Sequence, residues 1–347
     1  MKALIDKIFQ KGKEIGLKDM EVYYSAGGSL SLKVFQKELD TYNLSESEGL
    51  SLRGVYNGKM GYSYTEKVDE TSIEQLVRDV AENAIVIDSE DEEYIFEGSK
   101  EYKEVNSFNP SLSNISEEDK IEFVKSLEEE AFKSDKRIAS VEACVYGDGY
   151  GEIIMSNTKG LYLQDKSNIA YTYIAVVAKE GDDIKIGMAY RTGNDFNKFN
   201  AKEIAKEAVG EAISLLGGKS VKSGDYNVII RNSAAADLLE AFTGIFSAEA
   251  VQKNLSLLKG KLNERIASDK FTLIDDPYMD GGLASKSFDG EGVACKYKKV
   301  VDKGVLKTYF HNLKTAKKDG VETTGNASKG SYKSSINISP SNFYVEK

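Results

Sequence analysis

Leu4, Ile5, Ile8, Phe9 and Ile15 recur at helical spacing and predict a first amphipathic helix. From Glu21 to about Thr65 the period shortens to two. Ser29–Phe35 alternates polar and apolar residues, as a half-buried strand does. Gly49–Val55 and Lys59–Tyr64 flank Tyr56-Asn57-Gly58, and Asn-Gly supplies the positive φ that a tight hairpin turn needs. Thr71-x-x-Glu74 then has the form of a capping box. Ile73, Leu76, Val77, Val80, Ala81, Ala84 and Ile85 make one apolar stripe behind it.

The layout repeats. Ser116-x-x-Asp119 opens a third helix striped by Ile121, Val124, Leu127, Ala131 and Phe132. Strand-like runs follow at 139–146, 151–157, 160–164, 170–179 and 183–190, with the glycine-rich 147–151 expected to be a hairpin loop. A fourth helix is capped at Asn200-x-x-Glu203. Lys59-Met-Gly-Tyr-Ser-Tyr64 resembles Lys185-Ile-Gly-Met-Ala-Tyr190, and each precedes a helix, so an internal duplication is expected. Consecutive strands joined by turns predict an α+β fold with antiparallel sheet, not a Rossmann-like parallel one. The expected division is an α/β unit over 1–110, a second over 111–222, and a β-rich, glycine-rich section over 223–347. In the last, Tyr226–Ile230 is expected to be a buried strand and 232–246 a helix.

Composition narrows the chemistry. The 347 residues hold one histidine (His311), two cysteines (Cys144 and Cys295) and no tryptophan. Zinc sites use three or four His, Cys or carboxylate ligands, so a zinc finger or a two-histidine metallopeptidase helix is excluded for this chain acting alone. Two distant cysteines make no disulfide framework, and a cytoplasmic setting is expected. His311 could act as a lone base, but no serine or cysteine stands near it in a nucleophile setting, so a structural or surface role is expected for it and packing for both cysteines. The formal net charge of −10 disfavours nucleic acid as a partner, and no apolar run is long enough to span a membrane. Residues 88–104 are acidic, either a docking segment for a basic peptide or a solvated connector. No phosphate-binding glycine loop and no Gly-x-Ser-x-Gly elbow occur.

The informative stretch is 275–326. Asp275-Asp-Pro277, Gly281-Gly-Leu-Ala-Ser285, Phe288-Asp-Gly-Glu-Gly-Val293, Gly304-Val-Leu306, Thr315-Ala316 and Thr323-Thr-Gly-Asn326 stand in this order. The order and wording resemble the TldD/PmbA family, known as modulators of DNA gyrase and linked to peptide maturation, and its PmbA (TldE) branch in particular. In the TldD branch a helix carries His-Glu-x-x-x-His, whose histidines bind zinc and whose glutamate serves as general base. The matching positions here are Glu240, Ala241 and Ile245, so the resemblance implies a retained helix without its zinc chemistry. It further implies a further C-terminal segment beyond the strand at Asn342–Val345, which this chain would lack.

The resemblance thus implies no catalytic residue, metal or cofactor in this chain, and zinc only in a TldD-like partner subunit. The implied function is the PmbA/TldE-type part of a two-component metallopeptidase, with a peptide as substrate and a homodimer as a further state. The rival is a non-enzymatic protein-binding modulator, for example of DNA gyrase. Candidate peptide or subunit contacts are Phe288, Asp289, Glu291, Gly292, Thr324, Gly325 and Asn326. Turn chemistry explains the same residues equally well.

Overall fold

The computed structural model of the chain describes residues 1–88 and 93–347. Helix α1 (Lys2–Glu14) leads into β1 (Met20–Phe35), β2 (Glu38–Tyr56), β3 (Lys59–Thr65) and α2 (Ile73–Val86). The same order returns as α3 (Glu117–Ser134), β4 (Ile138–Asn157), β5 (Tyr162–Glu180), β6 (Asp183–Gly193) and α4 (Ala201–Leu215). The fold is α+β, and the expected sheet units join into one. A six-stranded antiparallel sheet runs β3-β2-β1-β4-β5-β6, closed across the middle by β1 against β4, where Gly27 faces Gly151.

Alternation along β1 explains the layering. Met20, Val22 and Tyr24 point into a core with Ile5, Ile8, Leu76 and Val80 of α1 and α2. Leu30 and Leu32, on the same face further along, point into a core with Val124, Leu127, Ile204 and Ala208 of α3 and α4. All four helices therefore cover one face. Both halves use a glycine where strand meets helix: a Cβ on Gly61 would lie 1.9 Å from the Val80 carbonyl oxygen, and one on Gly187 2.2 Å from that of Ala208. These are the glycines of the two similar hexapeptides.

The third section adds α5 (Asn232–Phe242), α6 (Ala248–Gln252), β7 (Leu273–Asp276), β8 (Lys298–Asp302), β9 (Val305–Leu306), α7 (Leu313–Asp319), β10 (Ala327–Ser328), β11 (Asn337–Ile338) and β12 (Asn342–Val345). A four-stranded sheet, β12-β7-β8-β9, packs on Phe246, Val251, Tyr309 and Phe310. Residues from this section cover the helix-free face of the first half of the large sheet, where Tyr332 packs with Tyr23, Met155 and Leu161. The equivalent face of the second half is bare: Ile184, Ile186, Met188 and Tyr190 of edge strand β6 are all exposed.

Several local expectations change. The glycines at 147–151 lie inside β4, not in a hairpin loop; Gly147 leaves room for the ring of Tyr171, 2.4 Å from where its Cβ would stand. The five short runs between 139 and 190 are accordingly three long strands. Tyr226–Ile230 is neither a strand nor buried: Tyr226, Val228, Ile229 and Ile230 are exposed, and among the described residues no strand pairs with them. An apolar run favours extended backbone, but a strand needs a partner edge. The 232–246 helix forms as α5 followed by a 3-10 turn, yet α5 buries none of its residues. The cap of Ser116 on Asp119 N forms as expected, at 3.1 Å. At Thr71 the cap comes instead from Asp69, whose Oδ1 accepts from Thr71 N at 2.8 Å. In the acidic stretch, 89–92 (with Glu90, Asp91 and Glu92) lie outside the described residues. The part after them packs on the third section, with Tyr102 Oη donating to the Gly292 carbonyl at 2.7 Å.

Candidate functional site

Strand register builds the site. Opposite the helices, Tyr62 of β3, Arg53 of β2, Glu21 of β1 and Asn157 of β4 are successive cross-strand partners. One step along, Tyr64, Ser51, Tyr23 and Met155 form the next row. Arg53 Nε donates to Glu21 Oε1 at 2.8 Å, and both side chains are buried. The third section lays two more charged groups on this floor. Lys329, after β10, donates from Nζ to Ser51 Oγ at 2.9 Å and sits 4.4 Å from the ring centre of Tyr23 and 5.2 Å from that of Tyr62. Glu291 brings Oε1 to 3.9 Å from Arg53 Nη1, while its Oε2 accepts from Leu313 N at 2.8 Å.

Above this floor opens a cleft of about 990 Å³ between the β2–β3 hairpin, the start of α7 and the 333–337 segment, with Arg53, Glu291 and Lys329 in its lining. Its electrostatics are strained. Burial pushes the Glu291 carboxyl up to about 7, opposed by Arg53 and helped by Asp289. Burial and the neighbouring Arg53 pull the Lys329 ammonium down to about 7. Burial works against the charge of Arg53, but Glu21 and Glu291 outweigh it and hold the guanidinium above its usual range. Arg53 Nη2 and Glu21 Oε2 are enclosed and have no hydrogen-bond partner among the described residues. Perturbed charges gathered in a cleft are a mark of functional sites.

Of the candidate peptide or subunit contacts named from sequence, Glu291 lines this cleft and the other six do not. Asp289 lies beneath it: its Oδ1 accepts from Glu291 N and Val293 N at 2.9 and 3.0 Å, and its Oδ2 from Ala327 N at 2.9 Å. Gly292 adopts φ +80° in that turn, and a Cβ there would lie 2.7 Å from Leu161. Phe288 packs edge-on against Tyr102. Thr324 Oγ1 accepts from His311 N at 2.7 Å, Gly325 has φ +70°, and Asn326 Nδ2 donates to Asp275 Oδ2 at 2.8 Å. These contacts hold the turn and the sheet together. Sequence reasoning missed Arg53, Lys329 and Glu21. One signal was present: Glu21 and Arg53 each interrupt an apolar strand run with an opposite charge.

The matching helix does not fit zinc. Glu240 is exposed on α5, Ala241 carries no donor atom, and Ile245 packs partly into the third core. Among the described residues no group of three or more His, Cys, Asp or Glu side chains is placed to hold a metal ion. His311 is enclosed and burial lowers its basicity. Burial raises the thiols of Cys144 and Cys295 to about 12, which makes neither a ready nucleophile.

This α+β architecture, with its glycine-rich third section seated on a duplicated sheet, is that of a metallopeptidase-related class of proteins. Residues 20–84 match PmbA/TldA metallopeptidase domain 1, residues 110–216 the central domain, and residues 223–347 the C-terminal domain. The chain belongs to the PmbA/TldD family. Uncharacterized protein MJ0231 of Methanocaldococcus jannaschii is 30% identical over 347 residues, covering 99% of this chain and 78% of that protein. Metalloprotease PmbA of Escherichia coli O157:H7 is 26% identical over 226 residues, 65% of this chain and 50% of that one. Among solved structures, a candidate modulator of a DNA gyrase from Thermotoga maritima MSB8 superposes with a TM-score of 0.92 at 34% identity, covering 99% of this chain and 77% of its own. TldE from Thermococcus kodakarensis shares the fold, with a TM-score of 0.87 at 20% identity over 99% of this chain and 77% of its own.

Proposed function

We propose that this chain is the PmbA/TldE-type subunit of a two-component cytoplasmic metallopeptidase that matures or degrades peptides. A TldD-type partner would supply zinc and the general base. This chain would supply walls and substrate contacts. The observation that carries the reading is the family helix with Glu240, Ala241 and Ile245 at the chemical positions. The bare apolar face of β6 supports it, because exposed contiguous apolar surface marks an association site. The charged cleft supports a role in holding substrate.

The test is co-expression with a chain bearing His-Glu-x-x-x-His, followed by size-exclusion chromatography and a peptidase assay. A stable complex with chelator-sensitive proteolysis is expected. Proteolysis by this chain alone, indifferent to chelator, overturns the reading. The names of the gyrase-modulator relatives favour a second reading, a non-enzymatic protein-binding modulator. A pull-down recovering a topoisomerase subunit and no TldD-type chain would carry that one instead.

A further inference from the structure

The cleft floor holds two cations, and beside Arg53 the acceptor Glu21 Oε2 is enclosed without a partner among the described residues. Arg53 Nη2 is enclosed without a partner among the described residues, although the side chain lines the cleft. Among the described residues Lys329 Nζ finds a single acceptor, Ser51 Oγ, and otherwise lies over the rings of Tyr23 and Tyr62. Glu21 and Glu291 outweigh burial for Arg53, but for Lys329 burial and the neighbouring Arg53 outweigh Glu21, so the fold alone gives little reason to place Lys329 here. A ligand anion in the cleft gives Lys329 Nζ and the Arg53 guanidinium a further acceptor, and charge-assisted hydrogen bonds to it are the strong kind.

We infer that Arg53 and Lys329 receive a carboxylate of a peptide lying in this cleft, either its C-terminal carboxylate or the side chain of an aspartate or glutamate. The inference rests on the peptide-handling reading above for the peptide, while the carboxylate comes from the floor itself. Two acids share that floor. Glu21 accepts from Arg53 Nε, and Glu291 uses Oε2 to accept from Leu313 N. A doubly charged phosphate would face both carboxylates there, whereas a peptide carboxylate brings one negative charge and two acceptor oxygens. A cleft of about 990 Å³ has room for a short peptide around its charged end.

Binding to the full chain is measured by fluorescence anisotropy with a labelled Gly-Ala-Ala-Ser-Ala peptide in three forms. These are the free acid, the C-terminal amide, and the amide with glutamate in place of serine. The neutral amide is expected to bind about tenfold or more weakly than at least one of the charged forms, since a charged hydrogen-bond pair is at stake. The stronger of those two identifies which carboxylate is received. Lys329→Met is expected to abolish the difference and Lys329→Arg to keep most of it. A Lys329→Met protein that melts cooperatively serves as the folded control. The assignment fails if all three peptides bind alike, if none binds, if the folded Lys329→Met protein keeps the difference, or if inorganic phosphate displaces the peptide more readily than acetate does. Such a failure is separate from that of the two-component reading, which rests on complex formation and chelator sensitivity.

Discussion

Glu21 and Arg53 are cross-strand partners on β1 and β2, joined by an Arg53 Nε to Glu21 Oε1 hydrogen bond of 2.8 Å, and both side chains are buried. Removing one partner leaves the other charge enclosed and alone. Arg53→Met is therefore expected to cost about 3–5 kcal/mol, whereas Glu21→Met/Arg53→Met together should cost less than the sum of the singles. Urea denaturation of the four proteins of this cycle measures the coupling. Additive costs would show that the pair is not the unit that matters.

Lys329 gives the opposite sign. Its ammonium is held at about 7 in the folded chain against 10.5 for a free lysine. Facing it are Arg53 and Ser51 of β2, Glu21 and Tyr23 of β1, and Tyr62 of β3. Between pH 7 and 10.5 the unfolded chain binds the extra proton, so this group makes stability rise with pH there. Below pH 7 both states carry the proton and the penalty of burial is full. Lys329→Met is thus expected to be more stable than the parent by about 1 kcal/mol or more near pH 6, with the gap closing toward pH 10. Thermal melts at pH 6 and pH 9.5 read this directly. A variant less stable than the parent at pH 6 would contradict it. A residue whose loss stabilises the fold is one retained for another purpose.

The two halves of the large sheet were legible in the sequence because periodicity, the caps at Ser116 and Asn200 and the Asn57-Gly58 turn reported local geometry. The long strands were not, since the glycines at 147–151 have the composition of a turn, and only the close approach of Tyr171 explains them inside β4. Tyr226–Ile230 has the composition of a strand, but pairing is a non-local property that composition does not carry. The site was hidden for a similar reason. Arg53 and Lys329 lie far apart in the chain, and only the seating of the third section on the sheet brings them together. Glu291 was visible because its turn is a local motif. The role of Asp289 beneath it came from three backbone N–H groups of two separate segments.

Acid-to-neutral pH also bears on Glu291. Its folded value of about 7 stands above the usual 4.5. Between these values the folded chain holds more protons, so this group makes stability fall as pH rises from about 4.5 to 7. Glu291→Gln keeps an oxygen for Leu313 N and removes the titration. The expected result is a flatter stability profile between pH 5 and 7, followed by chemical denaturation across that range. An unchanged slope would remove Glu291 as its source.

The similar hexapeptides make a paired prediction. Gly61 and Gly187 stand at equivalent points of β3 and β6, each beneath the helix that follows. Alanine at either site puts a methyl group into helix backbone, which cannot move without disturbing the core behind it. Each substitution is expected to cost about 2–3 kcal/mol, while Gly193→Ala, with nothing within 4 Å of its Cβ, should stay within about 0.5 kcal/mol of the parent. Equal losses at Gly61 and Gly187 would make the duplication energetic as well as topological, and a neutral Gly187→Ala would break the equivalence.

That equivalence also frames the bare face. Tyr62 and Tyr64 of β3 are met by Tyr332 from the third section. Met188 and Tyr190 occupy the matching positions of β6 and are exposed. The free edge of β6 is partly closed, because Met188 N donates to Glu211 Oε2 at 2.8 Å, so the apolar face offers more for association than the strand edge does. Met188→Lys adds a charge to an exposed position and should leave the stability of the isolated chain within about 0.5 kcal/mol. If a partner subunit covers this face, the same substitution must bury an ammonium at the interface and weaken the complex by about tenfold or more. Titration of the co-expressed pair by analytical ultracentrifugation measures this. A complex of unchanged affinity would place the partner elsewhere on the molecule.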